Sequence, residues 1–363
     1  MQLKSSEPIK NSSQTNIYEH LPEDEDQESL IMIFEKIKTI PTSEELLDKS
    51  FRRATRAMAG KEITGPVSRR EANESMLLTA ANILTDNLTN ITKMFPSIDS
   101  LPPFYYDLAE ILAGTEKLKA SLSRVDWAAR KIHDLARDHV GKMREGKQLP
   151  EQIRKEAFGR ISSIIYGLDK DLLVLNEARN VLRKLPDVRD EPTVIVAGYP
   201  NVGKSSFVAR VTTAAPEIAP YPFTTKGLTI GHLERDGIRY QIMDTPGLLD
   251  RPMSDRNDIE LHAITALKRL DAIVLILIDP SESCGYALED QRHLAEEIKT
   301  EFGLPVVIAE NKADRDEFMK QDDIGFTIST LTGEGVDALT DHLISLFPKQ
   351  KPAYVQPPLR DGF

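Results

Sequence analysis

The 363 residues of the chain exceed the usual size of one domain and predict two, and the composition, 40% hydrophobic and 28% charged, is typical of a globular protein and excludes a disordered one. A net charge of −11 argues against a protein that coats nucleic acid, although residues 31–190 carry a small excess of basic side chains. One cysteine excludes an intramolecular disulfide, and the longest apolar run, 272–278, is too short to cross a bilayer, so we expect a cytoplasmic protein without a membrane partner.

The first 190 residues predict an acidic tail followed by a helical domain. Residues 1–29 are polar and acidic, which indicates a disordered or loosely attached tail. Over residues 30–190 glycine is sparse and apolar residues recur at the spacing of one helix face, which predicts an all-α helical bundle. The predicted helices pass through residues 77–91, 108–122, 127–140 and 152–185, and breaks at Pro41, Pro96, Pro102, Pro103 and Pro150 separate them.

After Pro192 the pattern changes to alternating strands and helices. The predicted strands are 193–197, 228–234, 240–244, 272–278, 305–309 and 326–328, and the later predicted helices are 258–270, 285–301 and 334–347. Such alternation predicts an α/β domain over residues 191–348, with a mostly parallel sheet and helices on both faces. Residues 349–363 are rich in proline and predict an extended tail.

A glycine-rich loop joins the first of these strands to a helix. The segment from Gly198 to Ser205, GYPNVGKS, fits the phosphate-loop pattern, in which backbone N–H groups surround phosphates, a lysine supplies charge and a hydroxyl reaches Mg²⁺. The alternative for this motif alone is a glycine turn that binds nothing. The predicted phosphate-binding residues are Asn201, Val202, Gly203, Lys204, Ser205 and Ser206, with Lys204 also catalytic and Ser205 also a metal ligand.

Two further motifs, DTPG and NKAD, predict a guanine nucleotide as the ligand. Asp244 begins DTPG after a predicted strand, where its carboxylate can hold the Mg²⁺ shell while the Gly247 N–H meets a γ-phosphate, and both are predicted catalytic residues. Asn311 begins NKAD, in which the Asp314 carboxylate can accept the two guanine donors, N1–H and N2–H₂, and the Lys312 stem can cover the purine. We therefore predict a P-loop GTPase that uses GTP or GDP and Mg²⁺. A P-loop kinase or ATPase is the alternative that NKAD opposes.

The segment YPFTTKG, 221–227, lies between the phosphate loop and Asp244 and predicts a switch. A threonine here would complete the Mg²⁺ coordination only while a γ-phosphate is bound, and we prefer Thr225 over Thr224 as this catalytic and metal-binding residue. Gly247 is followed by Leu248, where Ras-type proteins place a glutamine that orients water. Hydrolysis is therefore expected to be slow, or to depend on another group, a monovalent cation or a partner.

Together these motifs resemble those of the nucleolar GTP-binding protein (Nog-type) family of the Obg-related GTPases. The resembling segments are GYPNVGKSS, YPFTTKG, DTPGLLDRPMSDRNDIE, DPSESCGYALEDQ and NKAD, with FEKIKTIPTSEELLD and PPFYYDLAEIL upstream. The resemblance covers residues 30–348 and implies a short form that lacks the C-terminal extension of the eukaryotic members. It also implies that Ser329, Thr330 and Leu331 form the element that contacts the base, and that Asn201 is a residue through which K⁺ activates hydrolysis.

The family resemblance implies a role in assembly of the large ribosomal subunit, with the large subunit or its precursor, rRNA and other assembly factors as partners; the sequence leaves the oligomeric state open, and a monomer is the expectation. Two basic groups in the helical domain suit RNA phosphates. They are Lys49, Arg52, Arg53, Arg56, Lys61, Arg69 and Arg70, and then Arg130, Lys131, Arg137, Lys142, Arg144 and Lys147. The alternative for these groups is a solvated helix surface. The alternative for the chain is a signalling or membrane-associated G protein whose helical domain binds protein or lipid.

Overall fold

The computed structural model describes residues 32–58, 64–189, 191–213, 215–221 and 227–348. The predicted tails, 1–29 and 349–363, lie outside the described residues, as do Lys61, Thr224 and Thr225. The proposed domain limits at residues 190 and 348 stay predictions.

Helices alone make up the first half of the described chain. In chain order they are α1 (Met32–Glu35), α2 (Ser43–Arg56), α3 (Pro66–Met94), α4 (Pro103–Ala113), α5 (Thr115–Glu145), α6 (Pro150–Tyr166) and α7 (Asp169–Leu182), with a short 3-10 helix at Ile98–Ser100. The two longest, α3 and α5, pack along each other, and α6 and α7 pack against α5. Leu84, Ile132 and Ile161 lie fully buried between them, so the apolar faces that the spacing predicts form one core.

Prolines and a capping box mark the starts of four of these helices. Helices α3, α4 and α6 each start at a proline, whose missing N–H costs nothing in the first turn. Helix α2 starts after Thr42, whose hydroxyl accepts from the Glu45 N–H while the Glu45 carboxylate accepts from the Thr42 N–H at 2.9 Å. The predicted proline breaks are confirmed.

Two of the predicted helix limits are wrong. The predicted helix 108–122 is divided at Gly114, whose φ of 71° lies in the left-handed region and ends α4, so that α5 runs unbroken through the predicted gap after residue 122. The predicted helix 152–185 is also two helices. It is broken after Tyr166, where Leu168 donates to the Ile165 carbonyl in a tightened last turn.

The second half forms a seven-stranded sheet in the order β2-β3-β4-β1-β5-β6-β7. Its strands are β1 (Thr193–Ala197), β2 (Glu217–Ala219), β3 (Leu228–Arg235), β4 (Ile238–Asp244), β5 (Ala272–Ile278), β6 (Val306–Glu310) and β7 (Phe326–Thr327). Strands β4, β1, β5, β6 and β7 run parallel, whereas β3 pairs antiparallel with β4 and β2 pairs antiparallel with β3. The short edge strand β2 is absent from the prediction, because three residues, two of them exposed and one half-exposed, carry too little pattern.

Helices cover the sheet, so the central strands are buried on both faces. They are α8 (Lys204–Val211), α9 (Asp258–Leu267), α10 (Leu288–Phe302) and α11 (Val336–Ser345), with a 3-10 helix at Met253–Asp255. Every residue of β1 and β5 is buried, and successive side chains on a strand point to opposite faces. The predicted fold class, an α/β domain with a mostly parallel sheet preceded by an all-α domain, is confirmed.

The two halves meet where α4 packs against α9. The rings of Phe104 on α4 and Tyr221 stack with centroids 6.5 Å apart and planes 19° apart, and the Tyr221 hydroxyl donates to the Ala263 carbonyl at 2.9 Å. An ion pair of 2.9 Å between Asp107 and Arg269 lies at the same contact. Burial raises the pKa of Tyr221, which keeps its hydroxyl a donor.

In the described part of the chain, every helix is too short or too polar to cross a membrane.

Candidate nucleotide-binding site

The loop between β1 and α8 curls tightly around its own backbone. Gly198, Asn201 and Gly203 all have positive φ, at 127°, 64° and 106°. A Cβ on Gly203 would lie 2.1 Å from Asn311 Nδ2, and a Cβ on Gly198 would lie 2.3 Å from the Leu277 carbonyl oxygen, so neither position has room for a side chain. Such a loop before a helix N-terminus is the backbone arrangement that surrounds phosphate groups.

Lys204 stands at the first position of α8 with its ammonium held over this loop. Its Nζ donates to the Gly198 carbonyl at 2.7 Å and to the Tyr199 carbonyl at 2.9 Å, and the side chain is buried. A buried ammonium fixed to the loop backbone supplies a localised positive charge where phosphates would lie. Ser205 and Ser206 follow it with exposed side chains.

Asp244 ends β4 directly beside the loop, since it pairs in register with Val196 of β1. One carboxylate oxygen, Oδ2, accepts from the Ser205 hydroxyl, whereas the other, Oδ1, is buried without a hydrogen-bond partner among the described residues. Burial raises the pKa of Asp244, although the Ser205 hydrogen bond and the charge of Lys204 oppose this shift. An unsatisfied carboxylate oxygen beside a hydroxyl fits a hard cation such as Mg²⁺, which takes oxygen ligands.

In the segment that follows Asp244, charged side chains form hydrogen bonds with the backbone. The Gly247 N–H donates to Asp250 Oδ2 at 2.7 Å. The buried Arg256 guanidinium donates to the Gly247 carbonyl at 3.4 Å and to the Arg251 carbonyl at 2.7 Å, and burial lowers the pKa of Arg256. Leu248 is 0% exposed, so its side chain lies in the core and away from any attacking water.

The motif NKAD follows β6, and its asparagine ties the base side of the site to the phosphate loop. Asn311 Nδ2 donates to the Val202 carbonyl at 2.8 Å and to Thr330 Oγ1 at 3.1 Å, and Asn311 Oδ1 accepts from the Thr330 N–H at 2.9 Å. The side chain is fully buried. Asn311 therefore holds two loops together, a role in addition to the predicted cofactor contact.

Lys312 is anchored by a carboxylate that the prediction does not assign. Its Nζ donates to Asp279 Oδ2 at 2.7 Å and to Ser283 Oγ at 2.9 Å. Burial alone would raise the pKa of Asp279, but hydrogen bonds from Lys312, Ser281 and Ser283 hold that pKa below its ordinary value. Asp279 directly follows β5. A carboxylate just after a predicted strand is a signal in the sequence by which this residue could have been found.

Asp314 completes the base side with an exposed carboxylate. The Ser329 hydroxyl donates to Asp314 Oδ1 at 2.5 Å, which fixes one oxygen and leaves the other side of the carboxylate open. Thr330 lies between Ser329 and the exposed Leu331, and the carbonyls of Thr330 and Leu331 accept from Arg210 of α8. Ser329 and Thr330 thus lie beside Asp314 and Asn311, and contact of this element with the base stays a prediction.

The carboxyl ends of β1, β4, β5 and β6 are neighbours in the sheet, so the predicted residues converge at one edge. The phosphate loop, Asp244 and NKAD are brought together, while Thr225, the predicted switch ligand, lies outside the described residues. Asp250, Arg256 and Asp279 contact this edge and are missing from the prediction. In the described residues, no group of three or more histidine, cysteine or carboxylate side chains could hold a metal alone.

A sheet of this order, with a phosphate loop after β1, an aspartate after the neighbouring parallel strand and NKAD after β6, defines a P-loop G domain. Here that domain follows a helical domain. A protein-family model described as the NOG1 N-terminal helical domain matches residues 34–189, and a second, described as nucleolar GTP-binding protein 1 (NOG1), matches residues 258–314. The chain belongs to the nucleolar GTP-binding protein 1 family.

Relatives of known sequence agree with this assignment. An uncharacterized protein of Methanocaldococcus jannaschii is 40% identical over 77% of this chain and 81% of its own length. Nucleolar GTP-binding protein 1 of Drosophila melanogaster is 37% identical over 77% of this chain but only 44% of its own length. The chain thus spans about half the length of the eukaryotic relatives it matches. A crystal structure of a candidate nucleolar GTP-binding protein 1 from Plasmodium falciparum is 37% identical, with a TM-score of 0.41 over 45% of this chain and 89% of that one.

Proposed function

We propose that this protein binds and hydrolyses GTP and acts as an assembly factor for the large ribosomal subunit, docking on rRNA through its helical domain. The observation that carries the GTPase part is the convergence of Lys204, Asp244 and Asp314 at one sheet edge. Support for the assembly part comes from the eukaryotic relatives, whose names place them in the nucleolus. We propose that the protein works in whichever compartment its large-subunit precursors are assembled.

In the proposed reaction, water attacks the γ-phosphate and GDP leaves. Lys204 neutralises charge on the phosphates, and the Gly247 N–H binds a γ-phosphate oxygen. Ser205 and Asp244 would hold Mg²⁺, with Thr225 as the further ligand that we propose for the GTP state. The ion would neutralise charge on the phosphate oxygens when bound. Asp314 selects guanine, and Lys312, anchored by Asp279, covers the base.

The burial of Leu248 motivates a prediction about the hydrolysis rate. Since Leu248 cannot orient water, we expect slow hydrolysis by the isolated protein in Na⁺, and a rise of about tenfold or more when large ribosomal subunits or K⁺ supply the missing group. The measurement is phosphate release in K⁺ and in Na⁺, each with and without subunits. Stimulation by subunits supports the assembly role. An equal, slow rate in all four conditions would contradict it.

Asn201 is the residue through which a K⁺ effect is expected to act. It lies in the phosphate loop with φ of 64° and an exposed side chain, so an Asn201→Gly variant, which adopts that φ without strain, removes the side-chain carbonyl oxygen without touching the core. We expect this variant to lose stimulation by K⁺ while keeping its response to subunits. If the wild type responds to K⁺ and the variant responds equally, K⁺ acts elsewhere.

Helix α5 carries the surface that we propose for RNA. Arg130, Arg137 and Arg144 recur every seven residues and therefore share one face, spanning about 21 Å at 1.5 Å per residue. Arg130 pairs with Asp126 and Arg144 with Glu74, whereas Arg137 has no carboxylate partner among the described residues. Arg137 and Arg144 line an open groove between α3 and α5 with a volume of about 560 Å³. Trp127, on the same helix, is 53% exposed, so its ring is available to contact a partner.

Reversing charge on α5 should weaken RNA binding. Lys131 and Arg137 are both exposed and have no ion-pair partner in the described ranges, so a Lys131→Glu, Arg137→Glu variant should fold normally. We expect its affinity for large subunits or rRNA to fall by about tenfold or more and the slope of log K against log salt to decrease by about 1 to 2. Lys299→Glu, an exposed reversal on α10, is the control. If the wild type, the double variant and Lys299→Glu bound RNA equally at low salt, the α5 face would be excluded as the RNA-binding surface.

A further inference from the structure

The Gly247 N–H, which the proposed function assigns to the γ-phosphate, is already bound by a carboxylate of the same chain. Asp250 Oδ2 accepts from it at 2.7 Å, a normal length for a hydrogen bond between an N–H and an ionised carboxylate. An N–H has one hydrogen, so it cannot bind Asp250 and a phosphate oxygen with full strength at the same time. One of the two anionic groups must leave when the other binds.

Resting on the proposed function, we propose that Asp250 is a specificity-determining residue that discriminates GTP from GDP by competing with the γ-phosphate for the Gly247 N–H. GDP lacks the γ-phosphate and leaves the Asp250 contact intact. GTP must displace the carboxylate before its third phosphate is bound. The competition therefore lowers the affinity for GTP and leaves the affinity for GDP unchanged.

The surroundings of Gly247 fit such an exchange. An added Cβ on Gly247 would meet no atom within 4 Å among the described residues, so there is room beside its amide for another group. The next peptide group is held separately, because Arg256 donates to the Gly247 carbonyl and to the Arg251 carbonyl. The Gly247 N–H can thus change its acceptor while Arg256 holds the peptide that follows it.

Charge also favours the proposed competition. Asp250 lies close enough to Asp244 for its negative charge to add to burial in raising the pKa of Asp244. A bound γ-phosphate beside Asp244 would be repelled by the same charge unless the Asp250 side chain turned away. The Asp250 charge also acts favourably on the Arg256 guanidinium, which offers the displaced carboxylate a neighbouring cation.

The test compares the affinities of the full chain for GDP and for the non-hydrolysable β,γ-imido analogue of GTP, by calorimetry in the presence of Mg²⁺. In Asp250→Ala we expect the affinity for the analogue to rise about tenfold relative to that for GDP, since a competing charge-assisted hydrogen bond is lost. Asp250→Asn keeps the shape and a neutral acceptor, so its ratio should fall between wild type and Asp250→Ala. Asp255→Asn removes an exposed charge from the same segment without touching Gly247, and its ratio should stay at the wild-type value.

The outcomes separate this proposal from the one on which it rests. An unchanged ratio in Asp250→Ala, or an equal loss of affinity for both nucleotides, would show that Asp250 only maintains the loop and would overturn the competition. A ratio that shifts as much in Asp255→Asn as in Asp250→Ala would reduce the effect to net charge and overturn it as well. If the wild-type protein bound neither nucleotide, the proposed GTPase function itself would fail.

Discussion

Replacing Lys204 with alanine is expected to lower the affinity for both GTP and GDP by at least about 100-fold, because a buried charge that faces the phosphates is lost. The Gly198 and Tyr199 carbonyls lose their donor in the same change, so the loop also loses the contacts that hold its shape. The measurement is nucleotide binding by calorimetry, with thermal melting of the nucleotide-free protein to show that the variant is folded.

Lys268→Ala is a matched control for this variant. Lys268 also donates to a backbone carbonyl, that of Glu301, but it lies after α9 and away from the phosphate loop. We expect its nucleotide affinities to equal those of the wild type. Unchanged affinity and turnover in Lys204→Ala would refute the proposed phosphate site.

Asp314→Asn is expected to change which base the protein accepts. The guanine N1–H and N2–H₂ donors would face an amide that presents its own N–H₂, so affinity for GDP should fall by about 100-fold or more. Xanthine has a carbonyl at the position of the guanine amine, and the new amide can donate to it. The affinity for xanthosine diphosphate (XDP) should therefore rise relative to that for GDP. The change is isosteric and keeps an oxygen that can accept from Ser329, so the fold should be retained.

Binding of GDP and XDP measured side by side decides this prediction. Asp316→Asn, an exposed aspartate two residues away, is the control and should leave both affinities unchanged. If Asp314→Asn bound GDP as tightly as the wild type does, Asp314 would not contact the base.

The sequence was most informative where one pattern dictates one structure. The strand Ala272–Ile278 was predicted to the residue because a run of seven apolar side chains, mostly Ile and Val and too short for a typical helix, favours a strand buried on both faces. The phosphate loop could be placed because its glycines lack room for any side chain, and NKAD because it follows a buried strand. Convergence of these motifs then follows from the parallel arrangement, in which carboxyl ends of neighbouring strands share an edge.

Features that depend on tertiary packing could not be predicted from the sequence. Apolar residues on both sides of Gly114 keep a helical spacing, so the pattern alone does not reveal that α4 ends there and α5 begins. The role of Asn311 as a link between Val202 and Thr330 depends on contacts between residues that are 109 and 19 positions apart in the sequence. The pairing of Asp250 with Gly247 is local, but a carboxylate three residues from a glycine has many possible acceptor roles, and only the fold selects one.

Tyr221 joins three parts of the molecule, since it stacks on Phe104 of α4, donates to Ala263 of α9 and is the first residue of the predicted switch segment. A nucleotide that repositions the chain after Tyr221 therefore changes the free energy of the contact between the two halves. Thermodynamic linkage is reciprocal, so if GTP raises the affinity of the helical half for RNA, RNA raises the affinity for GTP by the same factor. Bound to RNA, the protein would then bind GTP more tightly than the free protein does, and hydrolysis to GDP would weaken its contact with the RNA.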